Sequence, residues 1–228
     1  MQGEKEKSEV TASLSEGINE FVQKHRAPIF VSAGVILLSL IAFIVALSVM
    51  DMLRGKALSA VEEFSSRYEV LAPTITEPYS AVDAEQLIAD IEAFTRRNSG
   101  YAAGKAWAIT AHIHAQQENW PAAEAAWVAA AKAAKKTYLA PIAFFNAGAA
   151  AEEQGKTNEA IEYYSLSLDS QADFSSAPRA QFSIGRLQES LGNTETAIEA
   201  YRTVITGWPY DQVWPGLARS RIIALEGG

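Results

Sequence analysis

Residues 145–164, FNAGAAAEEQGKTNEAIEYY, and residues 182–201, FSIGRLQESLGNTETAIEAY, carry one pattern at an interval of 37 positions. Gly148 and Gly185 keep that interval, as do Gly155 and Gly192, Ala160 and Ala197, and Tyr164 and Tyr201. Pro141, Pro178 and Pro215 repeat it, and one step back finds Ala111, Ala123 and Trp127 with no insertion needed. A fixed period of this size marks stacked supersecondary units. Each unit reads as a helix, a tight turn and a second helix. Gly155 and Gly192 stand where the first helix should stop, because glycine takes the left-handed geometry beyond a helix end at little cost. Asn and Thr follow in both units, residues suited to turns and caps. The three prolines belong in a first helical turn, where a missing N–H is harmless. Ala111, Gly148 and Gly185 let backbones approach, while Trp127, Tyr164 and Tyr201 supply packing surface. One such hairpin cannot bury its apolar faces alone, so neighbours must stack on it. The expected fold class is all-α: an α-solenoid of antiparallel helix hairpins.

Outward from this core, residues 213–225, VWPGLARSRIIAL, read as the first helix of a fourth unit that caps the stack. Upstream, Leu87, Ile91 and Phe94 mark a helix near 83–97, and Leu58, Val61, Phe64, Tyr68 and Leu71 mark another. Pro73 and Pro78 make the stretch between them a loop. Farther back, residues 27–50, APIFVSAGVILLSLIAFIVALSVM, contain no charge over 24 positions. About 20 apolar helical residues cross the ~30 Å hydrocarbon layer, so this stretch is expected to span a membrane. A cleaved leader with Ala46-Leu47-Ser48 as its site is the rival, but the block exceeds the usual ~7–15-residue apolar core of such leaders. Lys5, Lys7, Lys24 and Arg26 precede the span and Arg54, Lys56 and Arg67 follow it, four bases against three, which favours an N-terminus inside. Leu14, Ile18, Phe21 and Val22 recur at helical spacing and fit either an interfacial helix or the start of the anchor. The expected organisation is a tail at 1–26, an anchor at 27–50, a degenerate helix pair at 51–100, three repeats at 101–212 and a cap at 213–228.

Composition narrows the function. The chain of 228 residues has 27 acids and 19 bases, a net charge of −8, and no cysteine. Nucleic-acid binding needs a basic stripe that is missing here, and thiolate chemistry is excluded. His112 and His114 lie about 200° apart around a helix and cannot easily share a metal. No phosphate-binding glycine loop, GxSxG elbow or HExxH helix is present. No cofactor, metal or catalytic activity is expected.

The set Trp107, Ala111, Ala123 and Trp127, the set Phe144, Gly148, Gly155, Ala160 and Tyr164, and the set Gly185, Gly192, Ala197, Tyr201 and Pro209 together resemble the tetratricopeptide repeat. The family's usual period is about 34, so each unit here carries roughly three extra residues. The resemblance implies that helix A side chains line a concave groove that binds proteins or peptides. Carried onto this chain, those positions are Lys105, Ile109, His112 and Gln116; Ile142, Phe145, Asn146, Ala149 and Glu153; and Arg179, Phe182, Ser183, Arg186 and Glu189. Phe145 and Phe182 sit at equivalent positions, where they either anchor a partner or pack on the next helix. Some family members clamp a C-terminal carboxylate with five residues; Asn146 and Arg179 match, whereas Ala108, His112 and Ser183 do not, so that mode is not expected. Trp107, Trp120 and Trp127 read as packing. Lys132, Lys135 and Lys136 read as a solvated helix end, and Glu62, Glu63, Glu152 and Glu153 as hydrated faces.

A single anchor followed by a small repeat domain is similar to the ancillary subunits of the bacterial Sec translocon. That resemblance implies an inner-membrane protein with an N-terminus in the cytoplasm, a periplasmic repeat domain, and translocon subunits, periplasmic chaperones or client chains as partners. A cytosol-facing receptor and a purely structural subunit are the alternatives.

Overall fold

The computed structural model describes residues 22–71, 81–171 and 173–227. Leu14, Ile18 and Phe21 of the anticipated interfacial helix, and Pro73 and Pro78 of the anticipated loop, lie outside the described residues. The helices are α1 (Arg26–Leu71), α2 (Ala81–Thr95), α3 (Gly100–Gln116), α4 (Trp120–Ala133), α5 (Leu139–Glu153), α6 (Thr157–Ser170), α7 (Ala177–Ser190), α8 (Thr194–Gly207) and α9 (Trp214–Glu226). Among the described residues there is no strand. The chain divides into two compact units, Met1–Gly55 and Lys56–Gly228.

The first unit holds the apolar part of α1. Among the described residues α1 is the one helix long and apolar enough to cross a membrane, and its most apolar 18-residue window has none of its residues buried. Phe30, Val31, Ile36, Leu38 and Phe43 are all more than half exposed. In water such a continuous apolar surface has no compensation.

In the second unit the helices pack in chain order as α3–α4, α5–α6 and α7–α8 hairpins. Val61, Phe64 and Leu71 of α1 close a core with Leu87 and Ile91 of α2 and Ile109 and Ile113 of α3. Leu58, expected in that row, is 45% exposed. The middle of the stack is packed with alanine: Ala111 of α3, Ala126, Ala130 and Ala131 of α4, and Ala143 and Ala147 of α5, with the Trp127 ring among them. Side chains this small bring helix axes together, so a few large rings can fill what remains. Gly148 faces the Tyr164 ring and Gly185 the Tyr201 ring; a Cβ at either would approach ring carbons to 2.9 Å and 2.6 Å. The spacing that paired a small residue with an aromatic is thus a direct contact within each hairpin.

The turns follow the same logic with one exception. Gly155 and Gly192 have φ of 71° and 77°, while Glu118, 37 positions before Gly155, has φ of 57°. A non-glycine residue there is strained by roughly 1–2 kcal/mol. Replacement of Glu118 by glycine is expected to raise stability by about 0.5–1 kcal/mol, after the greater freedom of glycine in the unfolded chain is deducted. Urea unfolding of the solubilised chain should show a higher midpoint with an unchanged slope. Asn119 caps α4 by accepting from the Ala122 N–H, whereas Asn193 caps α8 without a side-chain bond to the helix and donates instead to Gln188.

Candidate functional site

Helices α3, α5, α7 and α9 are the first helices of their hairpins, and the predicted groove residues lie on α3, α5 and α7. Three of those residues are buried: Ile109 and Phe145 in the core, and Ser183 at 7% exposure. Ile109 is 7% exposed and packs with Val61 and Leu87. Phe145, also 7% exposed, packs against Tyr164 at 5.4 Å and Phe174 at 6.3 Å between ring centroids. The reading of Phe145 as a partner anchor is therefore corrected. Phe174 comes from the connection between α6 and α7, a segment lengthened relative to a 34-residue period. It covers the ring, and the Arg179 guanidinium lies over it at 5.3 Å from the centroid. Phe182 is half-buried between Tyr201 and Trp214, with both ring centroids at 5.2 Å.

The remaining predicted residues reach solvent to different degrees. Gln116, Glu153, Arg179 and Arg186 are exposed; Lys105, Ile142, Asn146 and Glu189 are half-buried. His112 is solvent-exposed along one edge and otherwise held between Tyr68, stacked at 6.0 Å, and Trp127, edge-on at 4.7 Å. Burial lowers its pKa from the ordinary histidine value, which favours the neutral imidazole.

The structure brings Phe182, Arg186 and Glu189 together. With Ser190, Tyr201 and Arg221 they line a cavity of about 420 Å³. Its polar wall is a motif that occurs twice. The Tyr201 hydroxyl donates to Glu189 at 2.9 Å, and Glu189 also receives Arg221 from α9. One period earlier the Tyr164 hydroxyl donates to Glu152 at 2.7 Å, and Glu152 receives Arg186 from α7. Each glutamate thus joins its own hairpin to the next one. The reading of Glu152 as a hydrated face is corrected: its side chain is only 20% exposed. The 37-residue spacing shared by Glu152–Glu189 and Tyr164–Tyr201 was the available signal for this ladder. The arginines are spaced by 35 and so fall outside the 37-residue recurrence.

A third acid performs a similar task between α4 and α6. Glu124 accepts from Gln154 at 2.7 Å, Lys156 at 2.9 Å and the Tyr163 hydroxyl at 3.1 Å. Burial alone would raise the Glu124 carboxyl, but the bonds from Lys156, Gln154 and Tyr163 outweigh it and hold the pKa down. Glu189 is held down by Arg221, against the opposing effect of burial, with help from Tyr201. Burial, and then the Glu189 bond, pushes the Tyr201 hydroxyl up to about 12. A folded-state pKa below the unfolded value gives stability that is complete above the unfolded pKa, about 4.3 for glutamate, and is lost as pH falls through the folded value. Thermal midpoints of the full chain should therefore drop below about pH 4.3, and Glu124→Gln should flatten that drop while lowering the midpoint at neutral pH.

The ladder ties its charges pairwise, and beside it lie the partly buried Phe182 ring, the Arg179 guanidinium over Phe145, and the cavity. Comparison with known proteins identifies the repeat. The tetratricopeptide repeat family matches residues 110–173 and again 178–206. A TPR repeat-containing protein of Treponema pallidum (strain Nichols) is 32% identical over 197 residues, covering 80% of this chain and 82% of that protein. Repeats of this kind are typically non-catalytic scaffolds for protein–protein interaction. The period, the stacked hairpins and these matches together place the chain in the tetratricopeptide-repeat family.

Proposed function

We propose that this protein is a membrane-anchored scaffold whose repeats face the periplasm, where they hold translocon subunits, periplasmic chaperones or exported client chains near the inner membrane. The observation that carries the reading is the coexistence, in one chain, of an uncharged 24-residue stretch, whose most apolar 18-residue window has none of its residues buried, and a tetratricopeptide solenoid. The stretch serves as the anchor, with Lys24 and Arg26 on the cytoplasmic side. Tethering raises the local concentration of the solenoid at the membrane, so modest affinities suffice. Clients need no chemical change. The partner face comprises the accessible members of the predicted set: Lys105, His112, Gln116, Ile142, Asn146, Glu153, Arg179, Phe182, Arg186 and Glu189. Phe182 is its aromatic centre, because the ring lines the cavity and is only partly buried.

Two measurements test this reading. Alkaline phosphatase fused after Gly228 should be active, and a fluorescent protein that matures only in the cytosol should stay dark at the same place. The reverse result would turn the solenoid towards the cytoplasm and make it a receptor there. Photo-crosslinking from Arg179 and Gln116 in cells, read by mass spectrometry, should capture envelope or translocon proteins. Crosslinks confined to fixed subunits of one complex, with no transient clients, would favour a structural role instead.

A further inference from the structure

We infer that one edge of the solenoid, formed by the α2–α3 and α4–α5 connections, docks on anionic lipid headgroups; this rests on the reading of residues 27–50 as a membrane anchor. The two connections carry Arg96 and Arg97, and Lys135 and Lys136, with Lys132 in the last turn of α4. All five are exposed. Arg96 has a long i,i+4 contact with Glu92, at 3.8 Å. No acid among the described residues lies within ion-pair distance of the other four. A helix C-terminus accounts for Lys132 alone; it does not account for the convergence of bases from two separate connections.

The contacts place these connections side by side. Tyr101, which opens α3, and Tyr138, which precedes α5, have ring centroids 5.7 Å apart and share a hydrogen bond between their hydroxyls. A Cβ on Gly104 would meet Ala134 at 2.6 Å. The same edge holds the start of this unit. Phe64 of α1 packs on Phe94 of α2 at 5.4 Å, and Arg67 binds Asp90 at 2.8 Å, so the two segments run antiparallel. Lys56 therefore lies at the end of the helix pair where Arg96 and Arg97 emerge. Only six chain steps separate Met50, the last residue of the apolar block, from Lys56. A fully extended chain covers at most roughly 20 Å in six steps. Lys56 thus cannot be farther than that from the end of the apolar block.

The opposite edge is different. Among its described turn residues, 117–119, 154–156 and 191–193, the one base is Lys156, and it is bound to Glu124. On the basic edge itself the later connections carry Asp173 and Asp211 and no base. Among the described connections, bases without a close ion pair are therefore confined to those nearest the anchor in the chain. Tyr138, 61% exposed between Lys136 and the start of α5, adds an aromatic side chain of the kind enriched at headgroup depth. Clustered lysine and arginine beside an anchor attract acidic lipid, and salt weakens the attraction.

The absence of cysteine allows single labels to be placed in the full chain. A fluorophore at Ser99→Cys is compared with one at Asn158→Cys, in full-length protein reconstituted into vesicles of phosphatidylcholine, with or without phosphatidylglycerol. The quencher is a headgroup spin-labelled lipid. Quenching at position 99 should rise with phosphatidylglycerol and be lost in high salt and in the variant K132Q/K135Q/K136Q; position 158 should stay unquenched. Circular dichroism of the variant checks that the helices remain, and the salt series on the unaltered chain reads the same interaction without substitution. Equal quenching in neutral and acidic vesicles, or no response to salt, would overturn the proposal. Flotation separates the two readings: protein that floats without charge-dependent quenching removes the docking alone, whereas protein that fails to float removes the anchor and the docking with it.

Discussion

Truncation of Tyr201 to alanine is expected to lower stability by about 3–5 kcal/mol, the range for a large buried aromatic side chain. Tyr201 is fully buried, and three losses coincide there. Its ring fills the space that Gly185 leaves open and packs on Phe182. Its removal leaves a void between α7 and α8 beside Gly185, which has no side chain to fill it. It also deprives Glu189 of a donor. Tyr201→Phe isolates the last loss and should cost about 1–2 kcal/mol, since the acceptor is charged but partly solvated. Chemical denaturation of both variants in detergent checks the ratio. If the two costs were equal, the ring packing described above would be wrong.

Gly104→Val should be nearly as damaging, by about 3 kcal/mol or more. Any Cβ at this position meets the Ala134 Cβ at 2.6 Å and the Ala130 carbonyl oxygen at 3.0 Å. Neither is a flexible side-chain end, so α3 and α4 must separate. Gly216→Ala is the matching control. A Cβ there meets nothing within 4 Å, and helix propensity predicts a gain of up to about 1 kcal/mol. Loss of helical circular dichroism at lower temperature for Gly104→Val, beside an unchanged or higher midpoint for Gly216→Ala, is the expected outcome.

Gly104 also shows where the sequence stops being legible. The residue 37 positions later is Pro141, so no period announces its role; only the packed alanines of α4 reveal it. Gly148, Gly185, Tyr164 and Tyr201 could be read in advance because recurrence exposes them, and the same recurrence predicted the turns at Gly155 and Gly192. The groove was harder. Phe144 and Phe145 are adjacent, and a helical pattern alone does not say which ring turns inward. Phe174 decides it, and its reach depends on a connection whose path the sequence does not specify. Ile109 was misplaced for a related reason. Its outward position assumes an ordinary first repeat, whereas the helix pair of α1 and α2 lies over that face and buries it. Glu189 and Arg186 were recognised as groove positions without their ion pairs, because pairing across hairpins depends on the offset between them.

The bonds of Glu124 and those of Glu152 and Glu189 lie on different rows of the stack. Glu124 joins second helices, α4 to α6, while the other two join first helices, α5 to α7 and α7 to α9. A spring stitched along alternate sides does not flex evenly. Between the first and second hairpins the row of second helices is fastened by an ion pair, whereas the row of first helices has the neutral Tyr101–Tyr138 bond at one edge and small apolar contacts beyond it; farther on, the ion pairs change sides. Strain from a bulky occupant would therefore widen the solenoid near α3 and α5 before it disturbed the spacing of α7 and α9, giving the molecule a compliant end and a stiff one.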